Sequence, residues 1–262
     1  MGSVGNPPSL AQIKEWKKLT LAKYRRKTGI FLAEGKKVVD ELLQSRWPVR
    51  EILIRDDCLD WVQQNISRIR EGTPIFSLST RQWDLISQDQ ASEGVIAAAS
   101  RPAETPLADE LASSDGPILL LYQVNNPNNL GALLRSARWF GFSLVILGKN
   151  SCEATNPKAV RASMGNLFHL KVIEDVDLEN VIADIKGRFF IVGSDVGQGI
   201  APHPCKPRTA LFLGSESHGL PKTLVAAVDE IWNIPKAGGG ESLSLPQAGA
   251  IMMYACVRKA SV

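Results

Sequence analysis

The sequence predicts a two-domain α/β protein whose second domain is a largely parallel sheet covered on both faces. Three observations carry that prediction. Continuous apolar runs such as PILLLYQV, SLVILG and TALFLG have the character of strands buried on both faces. Helical segments separate these runs, and strands alternating with helices imply parallel pairing. Residues 101–116 are polar and hold two prolines, as expected of a linker. The expected division is therefore residues 1–100, a linker over 101–116, and residues 117–262.

The chain has 262 residues, 44% of them hydrophobic and 22% charged, enough apolar content for two ordinary cores. A net charge of +3 confines any basic surface to local patches. Cys58, Cys152, Cys205 and Cys256 show no CxxC or Cys/His spacing. Reduced thiols in a cytoplasmic protein, and no metal site, are expected. No apolar run reaches bilayer length, and no charged region followed by an apolar one stands at the N-terminus. Neither a membrane span nor a signal peptide is expected.

Residues 1–9 are small and Pro-rich and are expected to fray. The helical stretch AQIKEWKKLTLAKYRRKTG then gathers Lys14, Lys17, Lys18, Lys23, Arg25, Arg26 and Lys27, with Trp16 and Tyr24 among them. It reads either as an RNA-contacting face, with Lys23, Arg25, Arg26 and Lys27 as candidate contacts, or as a solvated helix face. FLAEGKKVVDELLQS, VREILIRDD, DWVQQNISRIRE, PIFSLS, RQWDLIS and GVIAAAS follow as alternating strands and helices. Val38, Val39, Leu42 and Leu43 show amphipathic helical spacing.

In the second half, Pro127 halts the first strand, and Asn128 or Asn129 is expected to cap the next helix. Leu130, Leu133, Leu134, Ala137 and Phe140 line one face of that helix. KAVRASMGNLFHLKVIE reads as helix then strand, VDLENVIADIKG as a helix, and RFFIVGSD and DEIWNIP as strands. PQAGAIMMYACVRKA closes the chain as a helix with Ala, Gly and Met inward.

Two glycine-punctuated stretches, LFLGSESHGLPK over 211–222 and IPKAGGGESLSLPQAGAI over 234–251, each follow an apolar run and carry one acid, Glu216 and Glu241. Glycines permit close backbone approach, and loops at neighbouring strand ends form one pocket. A dinucleotide fingerprint is missing, because the NNPNNLG turn holds one glycine. The Gly214–Gly219 spacing suits a phosphate loop, but Leu220-Pro221 displaces Lys222, and Glu216 would repel a phosphate. A ligand with a neutral or cationic part fits better.

Three motifs together resemble the SpoU/TrmH family of RNA ribose 2′-O-methyltransferases, within the knotted SPOUT superfamily. Asn129, Gly131 and Arg135 are similar to its first motif. Gly214, Glu216 and Gly219 are similar to its second, and Ile234-Pro235 with Ser242-Leu243 to its third. The N-terminal half, with FLAEGKKVVDELL and SEGVIAAAS, resembles the family's ribosomal-protein-like α/β substrate-binding domain. The resemblance implies a C-terminal SPOUT methyltransferase domain with a deep trefoil knot, S-adenosyl-L-methionine as cofactor, and a homodimer with a composite site near the subunit interface. Gly214, Ile234 and Leu243 match residues that hold the adenosyl part. Arg135, Asn129, Glu216 and Ser242 match the catalytic group, and Ser244 stands at the remaining position of it.

The family's role for Arg135 is activation of the 2′-hydroxyl. Arginine side chains stay protonated in water, so a donor to the developing oxyanion and to the neighbouring phosphate is the physical reading. Asn129 reads as helix cap, as site residue, or as both. Glu216 positions Arg135 or a substrate hydroxyl, or is a solvated loop acid. Ser242 and Ser244 bind substrate or cofactor, or cap the last helix. His218 is assigned no role, and His203 finds no partner in the sequence. Ser244 departs from the family pattern, where Asn is usual, and Pro246 stands where an aliphatic or polar residue is usual. Ribosomal RNA is the expected substrate ahead of transfer RNA. A non-catalytic RNA-binding protein with the same fold and a base-modifying knotted methyltransferase are the alternatives.

Overall fold

Caps and apolar spacing set the N-terminal elements in the computed structural model, which describes residues 5–258. Of the segment expected to fray, residues 1–4 lie outside the described part. Asn6 is held, because its carbonyl accepts from the Ser77 N–H at 3.1 Å. Ser9 opens α1 (Leu10–Lys18) in a capping box, its N–H donating to Gln12 Oε1 at 2.9 Å. A tight turn leads to α2 (Ala22–Thr28).

Two residues of the basic stretch are buried. Trp16 shares a helix face with Ile13 and is buried; its Nε1 donates to Glu51 at 2.6 Å and its ring packs 5.2 Å from Phe76. Arg25 is buried too, and its Nη1 donates to the carbonyls of Leu19 and Thr20 at 3.0 and 2.8 Å. Both carbonyls lie at the end of α1, where orphan acceptors need donors. Arg25 therefore fastens the α1–α2 turn. Lys23, Arg26 and Lys27 are exposed.

The chain divides into two compact units. The first holds β1 (Ile30–Glu34), α3 (Lys36–Leu43), β2 (Val49–Arg55), α4 (Leu59–Asn65), β3 (Ile75–Leu78), α5 (Thr80–Trp83) and β4 (Val95–Ser100). Its sheet runs β1-β4-β2-β3, with β4 antiparallel to both neighbours and β2 parallel to β3. Trp16, Leu32, Leu53, Leu78 and Trp83 form its core with α1.

This unit also contains Thr155–Phe168, a segment from the middle of the second half of the sequence. The segment carries α8 (Pro157–Ala162), capped by Asn156. Phe168 packs its ring 6.1 Å from Phe31 and 5.4 Å from Trp47. Arg101 donates to Thr155 Oγ1 at 3.0 Å, and Arg161 pairs with Asp89 at 3.4 Å.

The second unit begins inside the stretch read as a linker. There α6 (Leu107–Ser113) turns Leu111 into the core, so this stretch is not uniformly extended. Then come β5 (Ile118–Leu121), α7 (Pro127–Trp139), β6 (Leu144–Gly148), β7 (Lys171–Val176), α9 (Leu178–Ile185), β8 (Phe190–Ser194), β9 (Thr209–Leu213), α10 (Lys222–Val225), β10 (Glu230–Trp232) and α11 (Leu245–Val257). The sheet order is β10-β8-β9-β5-β6-β7, and all its pairs are parallel. On the central strands Leu119, Leu120, Leu211 and Phe212 are all fully buried, whichever face they point to, which explains the unbroken hydrophobic runs.

Two caps differ from expectation or resolve it. Asn126, not Asn128 or Asn129, caps α7 by accepting from the N–H groups of both, with Pro127 in the first turn. Ser244 caps α11; its N–H donates to Gln247 Oε1 at 3.3 Å. Ser and Asn are comparable caps, so the departure at Ser244 preserves the helix start. Pro246 also falls in the first turn, where its missing N–H costs nothing. A Cβ on Gly249 would stand 2.6 Å from Leu133 Cδ2 and 2.9 Å from Leu213 Cδ1, so this glycine sets how closely α11 approaches α7 and β9.

The expectation of four reduced thiols is overturned. Cys205 and Cys256 form a disulfide, with Cα atoms 4.5 Å apart and the Cys205 N–H donating to the Cys256 carbonyl at 2.9 Å. They lie 51 residues apart in sequence, so no local spacing announces the pair. Cys205→Ser is expected to lower stability by about 2–4 kcal/mol. Denaturant midpoints with and without reductant check this; a wild-type midpoint indifferent to reductant would refute it.

Candidate functional site

Register at the sheet centre brings two motifs together. Leu121 at the end of β5 pairs with Leu213 at the end of β9, and the Tyr122 N–H donates to the Leu213 carbonyl at 3.0 Å. The connection into α7 therefore leaves the sheet beside the loop after β9. A cavity of about 280 Å³ opens there, walled by Gln123, Asn125, Asn126 and Asn129 on one side and by Ser215, Glu216, Ser217 and His218 on the other. Leu245, at the start of α11, completes it, so the third motif meets the second at this point.

Across this cavity the Asn129 Nδ2 donates to Glu216 Oε2 at 2.7 Å, linking residues 87 apart in sequence. Because Asn126 serves as the cap, Asn129 is free to act as a site residue. Within one chain, Glu216 holds Asn129 and does not hold Arg135. Among the described residues lining the cavity there is no Lys or Arg. A carboxylate in a wall of amides and hydroxyls favours a neutral or cationic ligand over a phosphate.

Backbone bonds and one serine hydroxyl close the turn after β9. Ser215 and Gly219 exchange N–H···O bonds of 3.1 and 2.9 Å, and the His218 N–H donates to Ser215 Oγ at 3.1 Å. A Cβ on Gly214 would lie 2.3 Å from the Gly219 carbonyl carbon and 2.5 Å from the Leu220 nitrogen. Only glycine fits.

The neighbouring strand ends are laced to this turn. The Gly214 N–H donates to Ser194 Oγ at 3.4 Å, and the Asn233 Nδ2 donates to the Asp195 carbonyl at 3.2 Å. Ile234, next in sequence, is half-buried, whereas Ser242 and Leu243 are exposed. Lys236 Nζ donates forward to the Gly240 carbonyl and closes the glycine-rich loop. These turns stand together at the C-terminal ends of parallel strands, where ligands of open α/β sheets bind.

Arg135 is not brought to the cavity of its own chain. It lies six residues beyond Asn129, about a third of a turn around α7, and it is exposed. Trp139, one turn further along the same face, is 83% exposed, and Tyr254 on α11 is 57% exposed. Among the described residues, no group of three or more His, Cys, Asp and Glu could hold a metal ion, and no helix is long and apolar enough to cross a membrane.

Several positions escaped the sequence reading. His218, assigned no role, lines the cavity, and its place inside the second motif was the available signal. Gln123, Asn125, Asn126 and Leu245 also line it. His203 does find partners: Nε2 meets Glu230 Oε1 at 2.7 Å and Nδ1 meets the Pro204 carbonyl at 3.0 Å. The backbone contact and then the carboxylate hold this imidazole above its usual range, away from the cavity.

Residues 116–254 match the SpoU rRNA Methylase family, and residues 11–97 match the MRM3-like substrate binding domain. The 23S rRNA (guanosine(2553)-2'-O)-methyltransferase RlmP of Bacillus subtilis (strain 168) is 30% identical over 93% of this chain and 94% of its own. The 23S rRNA (uridine(2479)-2'-O)-methyltransferase of Streptomyces viridochromogenes is 24% identical over 95% of this chain and 90% of its own. Among solved structures, an AdoMet-bound rRNA methyltransferase from Sinorhizobium meliloti superposes with a TM-score of 0.83 at 25% identity, covering 97% of each chain.

Proposed function

Since the chain belongs to the SpoU rRNA methylase family, we propose that it transfers a methyl group from S-adenosyl-L-methionine to a ribose 2′-hydroxyl of 23S-type ribosomal RNA. The observation that carries this reading is the Asn129–Glu216 hydrogen bond in a cavity lined without cations, at the ends of β5 and β9. When bound, S-adenosyl-L-methionine supplies a methyl group already activated for in-line displacement by an oxygen. The chain's own residues then have to bind, align and handle one proton.

Gly214 supplies the backbone wall for the adenosyl part, with Ile234 and Leu243 as its apolar contacts. The carboxylate of Glu216 favours the positive charge of a sulfonium nearby. Asn129, oriented by Glu216, positions the ribose. Ser242 is a further hydrogen-bonding contact to substrate, and Ser244 holds the start of α11 so that Leu245 completes the wall. Arg135 donates to the oxygen as the hydroxyl proton passes to water, and it grips the adjoining phosphate.

We assign Arg135 to the site of a second copy. Its exposure on α7, on the face that also presents Trp139, supports a homodimer formed through α7 and α11 with each cavity completed by its partner. The trefoil knot of the family is part of the same proposal, as is action in the cytoplasm. The N-terminal unit binds the RNA, with Lys23, Arg26 and Lys27 as its exposed cations.

Purified protein incubated with methyl-labelled cofactor and unmodified 23S rRNA transcript tests the reading. Label is expected in a 2′-O-methylated nucleoside. Label in a base, or RNA binding without transfer or cofactor binding, would overturn it.

A further inference from the structure

Gln123 is one of the cavity residues that the chemistry above leaves unused. It is half-buried in the wall beside Asn129 and Glu216. Among the described residues its side-chain amide has no hydrogen-bond partner, whereas Asn126 caps α7 and Asn129 is bound to Glu216. Its backbone is also unusual. At φ 50° it occupies the left-handed region, which disfavours residues bearing a Cβ.

That conformation is imposed from both sides. The Tyr122 N–H is fixed to the Leu213 carbonyl at 3.0 Å. The Val124 N–H donates to Ser151 Oγ at 3.2 Å, and the Val124 carbonyl accepts from the Cys152 N–H at 2.9 Å. Glycine would take this φ without strain. The side chain therefore makes no hydrogen bond among the described residues, and its backbone strain sits at the cavity wall, where strain is commonly part of function.

We propose that Gln123 is a specificity-determining residue that reads the base of the nucleotide to be methylated. This rests on the ribose-methylation reading above. The base is carried on C1′, the carbon bonded to the C2′ that bears the reacting hydroxyl. With the ribose held at Asn129 and Glu216, the base leaves the sugar one bond from the carbon that bears the reacting oxygen, within reach of the cavity wall that carries Gln123. Gln123 offers an acceptor, Oε1, beside a donor, Nε2, a pair that meets a base edge bidentately.

The test uses the full-length protein and 23S rRNA transcripts that carry each of the four bases at the methylated nucleotide. For wild type, Gln123→Gly and Gln123→Glu, kcat/KM is measured on each transcript, cofactor affinity by calorimetry, and melting temperature by circular dichroism. In Gln123→Gly the preference for the cognate base is expected to fall about tenfold to a hundredfold. Its product stays a ribose methyl, its cofactor affinity is unchanged, and its melting temperature is no lower than wild type. Gln123→Glu exchanges the donor for an acceptor and is expected to reorder the four bases. An unchanged preference in both variants, or a loss in cofactor affinity alone, overturns the inference and leaves ribose methylation standing. A wild-type protein that methylates none of the transcripts overturns both.

Discussion

Arg135→Ala is expected to lower kcat for methyl transfer about a hundredfold to a thousandfold, with affinity for S-adenosyl-L-methionine unchanged. The guanidinium is assigned to the developing oxyanion, an interaction made in the transition state, so its loss appears in kcat. It is assigned to the substrate oxygen and the adjoining phosphate and not to the cofactor, so binding of the cofactor does not depend on it. Mixed dimers sharpen the prediction. Arg135→Ala and Asn129→Ala subunits are each expected to be inactive alone. In a mixed dimer, one of the two cavities combines an intact Asn129 with an intact Arg135 from the other copy. Random mixing should restore about a quarter of wild-type activity for a two-fold dimer. No recovery, with mixed dimers shown to form, would place Arg135 at work within its own chain.

Gly214→Ala is expected to weaken cofactor binding about a hundredfold. The added methyl would lie 2.3 Å from the Gly219 carbonyl carbon and 2.5 Å from the Leu220 nitrogen, and both are backbone atoms that cannot rotate away. The turn from Ser215 to Gly219 must open, losing two mutual hydrogen bonds and the wall that carries Glu216. Overpacking of this kind costs about 1–3 kcal/mol, and the displaced turn adds a loss in affinity of roughly a hundredfold. Calorimetric titration reads the affinity and a denaturant melt reads the stability. Wild-type affinity in this variant would remove the turn from the cofactor site.

The parallel sheet was legible because its central strands are buried on both faces and therefore read as unbroken apolar runs. The two glycine loops were legible because turns that carry chemistry need residues that helices and strands avoid. Position within the fold was less accessible. Arg25 looks like its neighbours in sequence, yet the turn between α1 and α2 aims it at two orphan carbonyls. Trp16 was counted with the charges around it, although its spacing from Ile13 already put it on the buried face. Thr155–Phe168 joins the first unit through Phe168 and its aromatic partners, a long-range preference that no local pattern encodes.

At the site the contrast has the same origin. Asn129 and Glu216 come together because β5 and β9 are neighbours in the sheet order, which lies outside either motif. Arg135 belongs to the first motif by spacing, but helical phase turns it away from Asn129. The left-handed backbone at Gln123 was invisible, because nothing distinguishes that residue in sequence from any other Gln after a strand. The disulfide between Cys205 and Cys256 is likewise a product of tertiary approach.

Mass mapping of modified nucleosides in 23S rRNA, from cells with and without this protein, tests the central claim most directly. One 2′-O-methylated nucleotide is expected to disappear when the protein is absent, and to return when the wild-type chain is restored. An unaltered set of ribose methylations, or the loss of a base methylation in its place, would contradict the account.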